Sequence, residues 1–284
     1  MSTFPLIRER GGSILNIKTW IGAGIILFFL TIALLAPYIA PYNPNDIVDL
    51  PYEKPSKLHF LGTDRLGRDI FSQLIHGTRL SLLIGILTGF LMTGISTFFG
   101  MTSGYYGGIV DRILSTITDV FLVIPGIPLM IVISSYIRVR SFWTVIIVIA
   151  LTGWGGGARV IRSQMLSMKN REFVTAAKII GEKNIRIVFF EIFPNMLSLI
   201  ASNFFGSVLY AIIGEASLSF LGLGDVSRIS WGTMLYWAQS ANALLNGMWA
   251  WVLAPGLSIV LLGTAFALLN FSLDEMTNPR LRGR

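Results

Sequence analysis

The chain reads as an all-α integral membrane protein with about six transmembrane helices and a charged helical segment between helices 4 and 5. Three observations give this class. Of 284 residues, 53% are hydrophobic and 13% charged, and the mean hydropathy is +0.68. Neutral runs recur along the chain, each long enough to cross roughly 30 Å of hydrocarbon. Lysines and arginines gather in segments that six spans place on one side of the bilayer.

The spans predicted in order are Trp20–Ile39, Leu80–Tyr105, Ile109–Tyr136, Phe142–Ile161, Met196–Leu223 and Met248–Phe271. Residues 1–40 then form a cytoplasmic tail and first anchor, 41–78 an extracytoplasmic loop, and 79–284 a core of five helices. The first span has a basic flank and small residues at Ala33, Ala36 and Ala40, like a signal peptide. Pro37 and Pro41 follow the best cleavage positions, so a retained anchor is expected. The 41–78 segment contains Pro41, Pro44, Pro51 and Pro55 and is expected to be extended and irregular.

An even number of spans puts both termini on one side. The N-terminal tail carries Arg8, Arg10 and Lys18, and the C-terminal tail carries Arg280, Arg282 and Arg284. After span four, seven bases (among them Arg159, Arg162, Lys169 and Arg171) outnumber Glu172, Glu182 and Glu191. Positive-inside bias makes that side the cytoplasm, with Arg138 and Arg140 placed outside against the bias. The net charge of +7 fits this retention and does not call for nucleic acid. A second outer segment, 225–247, carries Trp231 and Trp237; with Trp249 and Trp251 it reads as an interfacial indole belt.

The absence of cysteine excludes disulfides, thiolate metal sites and cysteine nucleophiles. His59 and His76 are too isolated to form a metal motif and read as solvated loop residues. No cofactor is implied. Phosphate-loop, zinc-hydrolase and nucleophile-elbow patterns are missing, so the chain is not expected to hydrolyse ATP or act as an enzyme.

Between spans four and five, Arg171 to Pro194 reads as two short helices. Asn170 is placed to cap the first, whose stripe is Phe173, Ala176, Ala177 and Ile180, and Gly181 ends it. The second carries Ile185, Val188, Phe189 and Ile192, and Pro194 leads into span five. Such a pair either rests on the inner leaflet or presents small residues to a cytoplasmic partner. Asp119 and Glu215 fall inside spans three and five. Charge in hydrocarbon costs roughly 2.5–3.5 kcal/mol on insertion scales. Each acid therefore either lines a pathway or satisfies a group within the bundle. Gly85, Gly89, Gly100 and Gly104, at four-residue spacing in span two, form small-residue faces for helix packing or a subunit seam.

The segment EFVTAAK with Gly181 and FPN resembles the EAA loop of ABC-importer permeases. The similarity runs on through LAPYIAPYNP, HFLGTDRLGRDIFSQLIHGTRLSLLIG (His59 to Gly85) and GYYGGIVDR (Gly104 to Arg112). LTGW, GEASLSFLGLG, SWGTML and NPRLR follow in the same order. Together they resemble the C-type subunit of the dipeptide/oligopeptide/nickel importer family. Thr175 departs from the pattern at the first Glu, Phe193 replaces a leucine, and Gly155 to Gly157 replace a proline and tyrosine, which is expected to loosen span four.

The resemblance implies a permease that pairs with a homologous permease, two ABC ATPases and an extracytoplasmic substrate-binding protein. It implies that Glu172, Phe173, Ala176, Ala177 and Gly181 couple ATPase motion to the spans, and that peptides or related solutes are carried. The rival reading is a stand-alone secondary transporter, which inverted repeats or several intramembrane charges would favour.

Overall fold

The computed structural model describes residues 17–137 and 139–277, with side chains through Leu273. Arg8, Arg10, Arg138 and the NPRLR tail lie outside the described residues. Helix α1 spans Ile17–Ile39, α2 Ile70–Tyr106, α3 Gly108–Val123, α4 Gly126–Tyr136, α5 Phe142–Gly153 and α6 Gly155–Met168. Then come α7 (Glu172–Ile179), α8 (Asn184–Phe220), α9 (Trp231–Ser240) and α10 (Trp249–Thr277). Helices α1, α2, α8 and α10 are each long and apolar enough to cross a membrane. Two bent pairs, α3–α4 and α5–α6, raise that number to as many as six where each pair counts as one span.

The breaks have local causes. Span three was expected to run unbroken from Ile109 to Tyr136, yet its halves meet at 90°. Proline disfavours helical backbone in the residue before it, and Ile124 (φ −79°, ψ 125°) and Pro125 (φ −58°, ψ 126°) are both extended. Span four bends by 45° at Trp154, just before the triple glycine. The Trp154 carbonyl still accepts from Ala158 N (3.1 Å) and also from Ser96 Oγ (2.7 Å), so the bend leaves that group satisfied. The glycines there admit neighbours as well as bending: a Cβ on Gly157 would lie 2.3 Å from Asn203 Oδ1.

Pro194 was expected to separate a short helix from span five. Instead α8 runs through it, with a π-helical turn over Ile187–Ile192 immediately before. Widening the turn next to a proline accommodates its missing N–H and its ring.

The span-two glycines serve packing within this chain. Gly85 and Gly89 abut Ile212 and Val208 of α8, and Gly100 and Gly104 abut Ala158, Ile161 and Met165 of α6. Helix α2 thus forms the spine against which both later spans close, the small-residue contact expected in lipid.

The outer segment is irregular but tightly bonded. Helix α2 reaches back to Ile70, nine residues into the stretch read as loop, because Asp69 caps it: its Oδ2 accepts from Ser72 N (2.7 Å). His59, expected to be solvated, is buried between Asp69 (3.0 Å) and Asp49 (3.3 Å). The carboxylate of Asp64 accepts from Leu66 N, Arg68 N, Arg68 Nε and Gln73 Nε2 at 2.7–3.0 Å. Asp64→Ala strands these donors, each unsatisfied buried group costing about 1–3 kcal/mol. Its detergent-solubilised protein is expected to melt well below that of a control Asp46→Ala, at an exposed position.

Two of the four indoles read as interfacial are core residues. Trp231 and Trp251 are fully buried, and Trp231 packs edge-on against Phe29 at 5.3 Å. Trp249 remains largely exposed, and Trp237 stacks under Arg65 at 4.3 Å. The sequence marked aromatic content but not which side of each helix it occupies.

Candidate functional site

Helix α7 lies against the ends of α2, α6 and α8, where Val174 and Ala177 join a cluster with Met101, Tyr105, Met165 and Ile187. Its N-terminus is not capped by Asn170, as the sequence predicted. Arg171 occupies the cap position without a side-chain bond, and Asn170 Nδ2 donates to Leu166 O at 3.2 Å. Its C-terminus follows expectation. Gly181 (φ +82°) takes the left-handed conformation, Glu182 N reaches Ala177 O (3.1 Å), and the chain turns into α8.

The docking is polar as well as apolar. Tyr105 Oη donates to Asn184 Oδ1 (2.8 Å), Lys178 Nζ lies 5.6 Å above the Tyr105 ring, and Lys169 Nζ donates to Gly104 O (2.8 Å). Of these, Lys178 over Tyr105 joins α7 itself to the end of α2, while Asn184 and Lys169 tie the start of α8 and the end of α6 to the same place.

The five coupling candidates separate by orientation. Ala177 is 7% exposed and faces the chain's own core, so it is not available for the close external contact the sequence reading gave it. Glu172, Phe173, Ala176 and Gly181 are exposed. With them, Ile179 and Ile180 stand out at 80% and 75% exposure. Ile179, the last residue of the helix, and Ile180, in the turn after it, form an exposed apolar patch beyond Ala176 of the kind a partner surface covers.

The acids Asp119 and Glu215 are far apart in environment. Asp119 Oδ1 accepts from Arg159 Nη2 at 2.6 Å, and the two side chains are 59% and 60% exposed. Arg159 lies on α6, five residues past the bend at Trp154. A charged pair this open faces water or another polypeptide rather than acyl chains. A pocket of about 220 Å³ beside them is lined by Ser103, Ser115, Thr118 and Arg162.

Glu215 is enclosed. Its Oε1 accepts from Ser219 Oγ (2.8 Å) and from Ser230 Oγ (2.7 Å). Ser230 also caps α9 in a capping box with Thr233, so the carboxylate joins α8 to the outer helix. Glutamine keeps an oxygen at this position. Glu215→Gln is expected to fold and transport at near wild-type levels, while Glu215→Leu leaves the serine hydroxyls unpaired and should lower yield and melting temperature. Uptake measured at matched expression separates the two outcomes.

Sequence reasoning missed a second ion pair. Asp111 accepts from Arg162 Nε and Nη2 at 2.6 and 2.7 Å, a bidentate contact between α3 and α6. Both residues had been noticed, Asp111 within GYYGGIVDR and Arg162 among the basic residues, but a helix-to-helix pairing leaves no mark in linear spacing. An apolar cleft of about 660 Å³ also opens between α2 and α8, walled by Phe90, Phe98, Phe189 and Phe204.

The family model described as "binding-protein-dependent transport system inner membrane component" matches residues 96–283. A second, "N-terminal TM domain of oligopeptide transport permease C", matches residues 19–55. The dipeptide transport system permease protein DppC of Haemophilus influenzae is 36% identical over 270 residues, covering 92% of this chain and 90% of that protein. The oligopeptide transport system permease protein OppC of Bacillus subtilis is 35% identical, covering 94% and 87%. The glutathione transport system permease protein GsiD of Pectobacterium atrosepticum is 34% identical, covering 99% and 97%.

Proposed function

The chain belongs to the family of binding-protein-dependent transport inner-membrane components, and on that premise we propose that it is the C-type permease subunit of an ATP-driven peptide importer. It is a multi-pass membrane permease component. The relatives named for dipeptide, oligopeptide and glutathione transport support a small peptide as cargo.

One observation carries the mechanism: α7 packs Val174 and Ala177 against the ends of the bundle and leaves Phe173, Ala176, Ile179 and Ile180 exposed. A partner ATPase that covers Glu172, Phe173, Ala176 and Gly181 would therefore move α2, α6 and α8 with it. The energy is supplied from outside, because the chain has no phosphate-binding loop. Two such ATPases, a homologous permease and an extracytoplasmic binding protein complete the assembly. ATP-driven closure displaces α7 and rotates the bundle between outward- and inward-facing states. Differential contacts in those two states supply the coupling free energy.

Both termini and α7 lie on the cytoplasmic side in this reading, as the bases around α6 and α7 favour. Residues 1–40 form the tail and anchor, residues 79–284 the permease core, and the segments 41–78 and 225–247 offer the surface for the binding protein. Asp119 faces the pathway, and Glu215 fastens the outer end of the bundle. The test is reconstitution. Vesicles holding the full complex should accumulate a dipeptide when ATP is inside, and vesicles holding this chain alone should not. Nucleotide-independent uptake by the chain alone would support a secondary transporter instead.

A further inference from the structure

Helix α3 is held differently from every other helix of comparable length among the described residues. Thr118 is its one buried residue, and Ile109, Ile113, Val120 and Val123 are all more than half exposed. Both of its ends are joints. Gly107 (φ +67°) and Gly108 (φ +55°) turn the chain out of α2 in a conformation that favours glycine, and extended Ile124–Pro125 separates it from α4. Little apolar surface is buried between the two joints.

Phe121 meets Trp154 at 5.4 Å between ring centroids and Leu122 lies near Gly155, and to these contacts two ion pairs add a charged hold. Asp111 and Asp119, eight residues apart on α3, meet Arg162 and Arg159, three residues apart on α6. Asp111 also accepts from Ser115 Oγ at 3.0 Å, which orients the carboxylate toward the bidentate guanidinium. Helix α6 in turn is locked to α2 by the glycine contacts and runs directly into the turn that carries α7.

We infer that Asp111 and Arg162 are the positioning pair that makes α3 move with α6 and α7, carrying the exposed Asp119–Arg159 pair with it as one wall of the pathway. The inference rests on the permease reading above. It assigns neither residue a contact with cargo. Asp111 and Arg162 act through the helix they hold, and Asp119 and Arg159 are the groups that face the open side.

The test uses the reconstituted complex. The chain is free of cysteine, so spin labels can be attached at Ile113→Cys on α3 and Val160→Cys on α6, both exposed positions. The otherwise wild-type protein should give one distance that does not shift between nucleotide-free and ATP-trapped states, and Asp111→Asn should broaden it. On the same vesicles, Asp111→Asn and Arg162→Gln should continue to hydrolyse ATP while losing most dipeptide uptake. A wild-type distance that shifts between the two states overturns the inference, and so does wild-type uptake by either variant. Should a variant fail to assemble, the wild-type distance still decides. Absence of ATP-dependent uptake in the wild-type complex would instead strike the permease reading.

Discussion

Ala176→Asp leaves the chain folded and inserted but strips it of ATPase and abolishes uptake, whereas Ala177→Asp destroys the fold of the inner end itself. The two alanines are adjacent in sequence and opposite in environment. Ala176 is exposed near the apolar patch of Ile179 and Ile180, so a carboxylate there meets water in the isolated chain and a partner's apolar surface in the complex. Ala177 contacts the cluster of Val174, Met165 and Ile187. A carboxylate buried there without a partner costs on the order of 3–5 kcal/mol, a large part of a domain's stability of roughly 5–15 kcal/mol. Yield, melting temperature and co-purification with the ATPases distinguish the cases. Ala176→Asp should be normal in the first two and deficient in the third, and Ala177→Asp deficient in all three. Co-purification of Ala176→Asp at wild-type yield would count against the proposed surface.

Gly100→Leu should have a comparable structural effect. A Cβ at Gly100 would lie 2.7 Å from Ala158 O and 2.8 Å from Ile161 Cβ, and the first of these is backbone that a rotamer change cannot move. Overpacking of this kind costs about 1–3 kcal/mol in soluble cores and more where backbone must shift. Here it parts α2 from α6, the helix that leads into α7. Gly94, on the same helix, has nothing within 4 Å of the corresponding position. Gly94→Ala should therefore fold normally and gain up to about 1 kcal/mol in helix propensity. Equal stability of Gly100→Leu and wild type, read by thermal unfolding in detergent, would contradict the assigned α2–α6 contact.

The helical class and the positions of the spans were legible because burial in lipid demands long apolar runs, and such runs survive in a linear reading. The EAA-like segment was legible as two helices separated at Gly181 because glycine in the left-handed conformation is a local requirement. Orientation around each helix was not. Trp231 and Trp251 look interfacial by position and are core residues by facing, and Ala176 and Ala177 look equivalent and are not. Pro125 carried a readable signal, since the residue before a proline is pushed to extended backbone, yet the apolar run across it masked the break. Pro194 gave the opposite result because a π-helical turn absorbed it. His59 and the Asp111–Arg162 pair depend on contacts between residues distant in sequence, and a single chain offers no local pattern that announces them.

The most direct test of the account introduces Ala176→Cys into this cysteine-free chain and assembles it with its ATPases in sealed vesicles of known orientation. The account predicts that a thiol reagent reaches this cysteine only from the cytoplasmic face, that bound ATPase shields it, and that a short cross-linker joins it to the ATPase. Labelling from the outer face, or a site left unshielded while ATP-dependent uptake proceeds at full rate, would contradict the claim that α7 is the surface through which the bundle is driven.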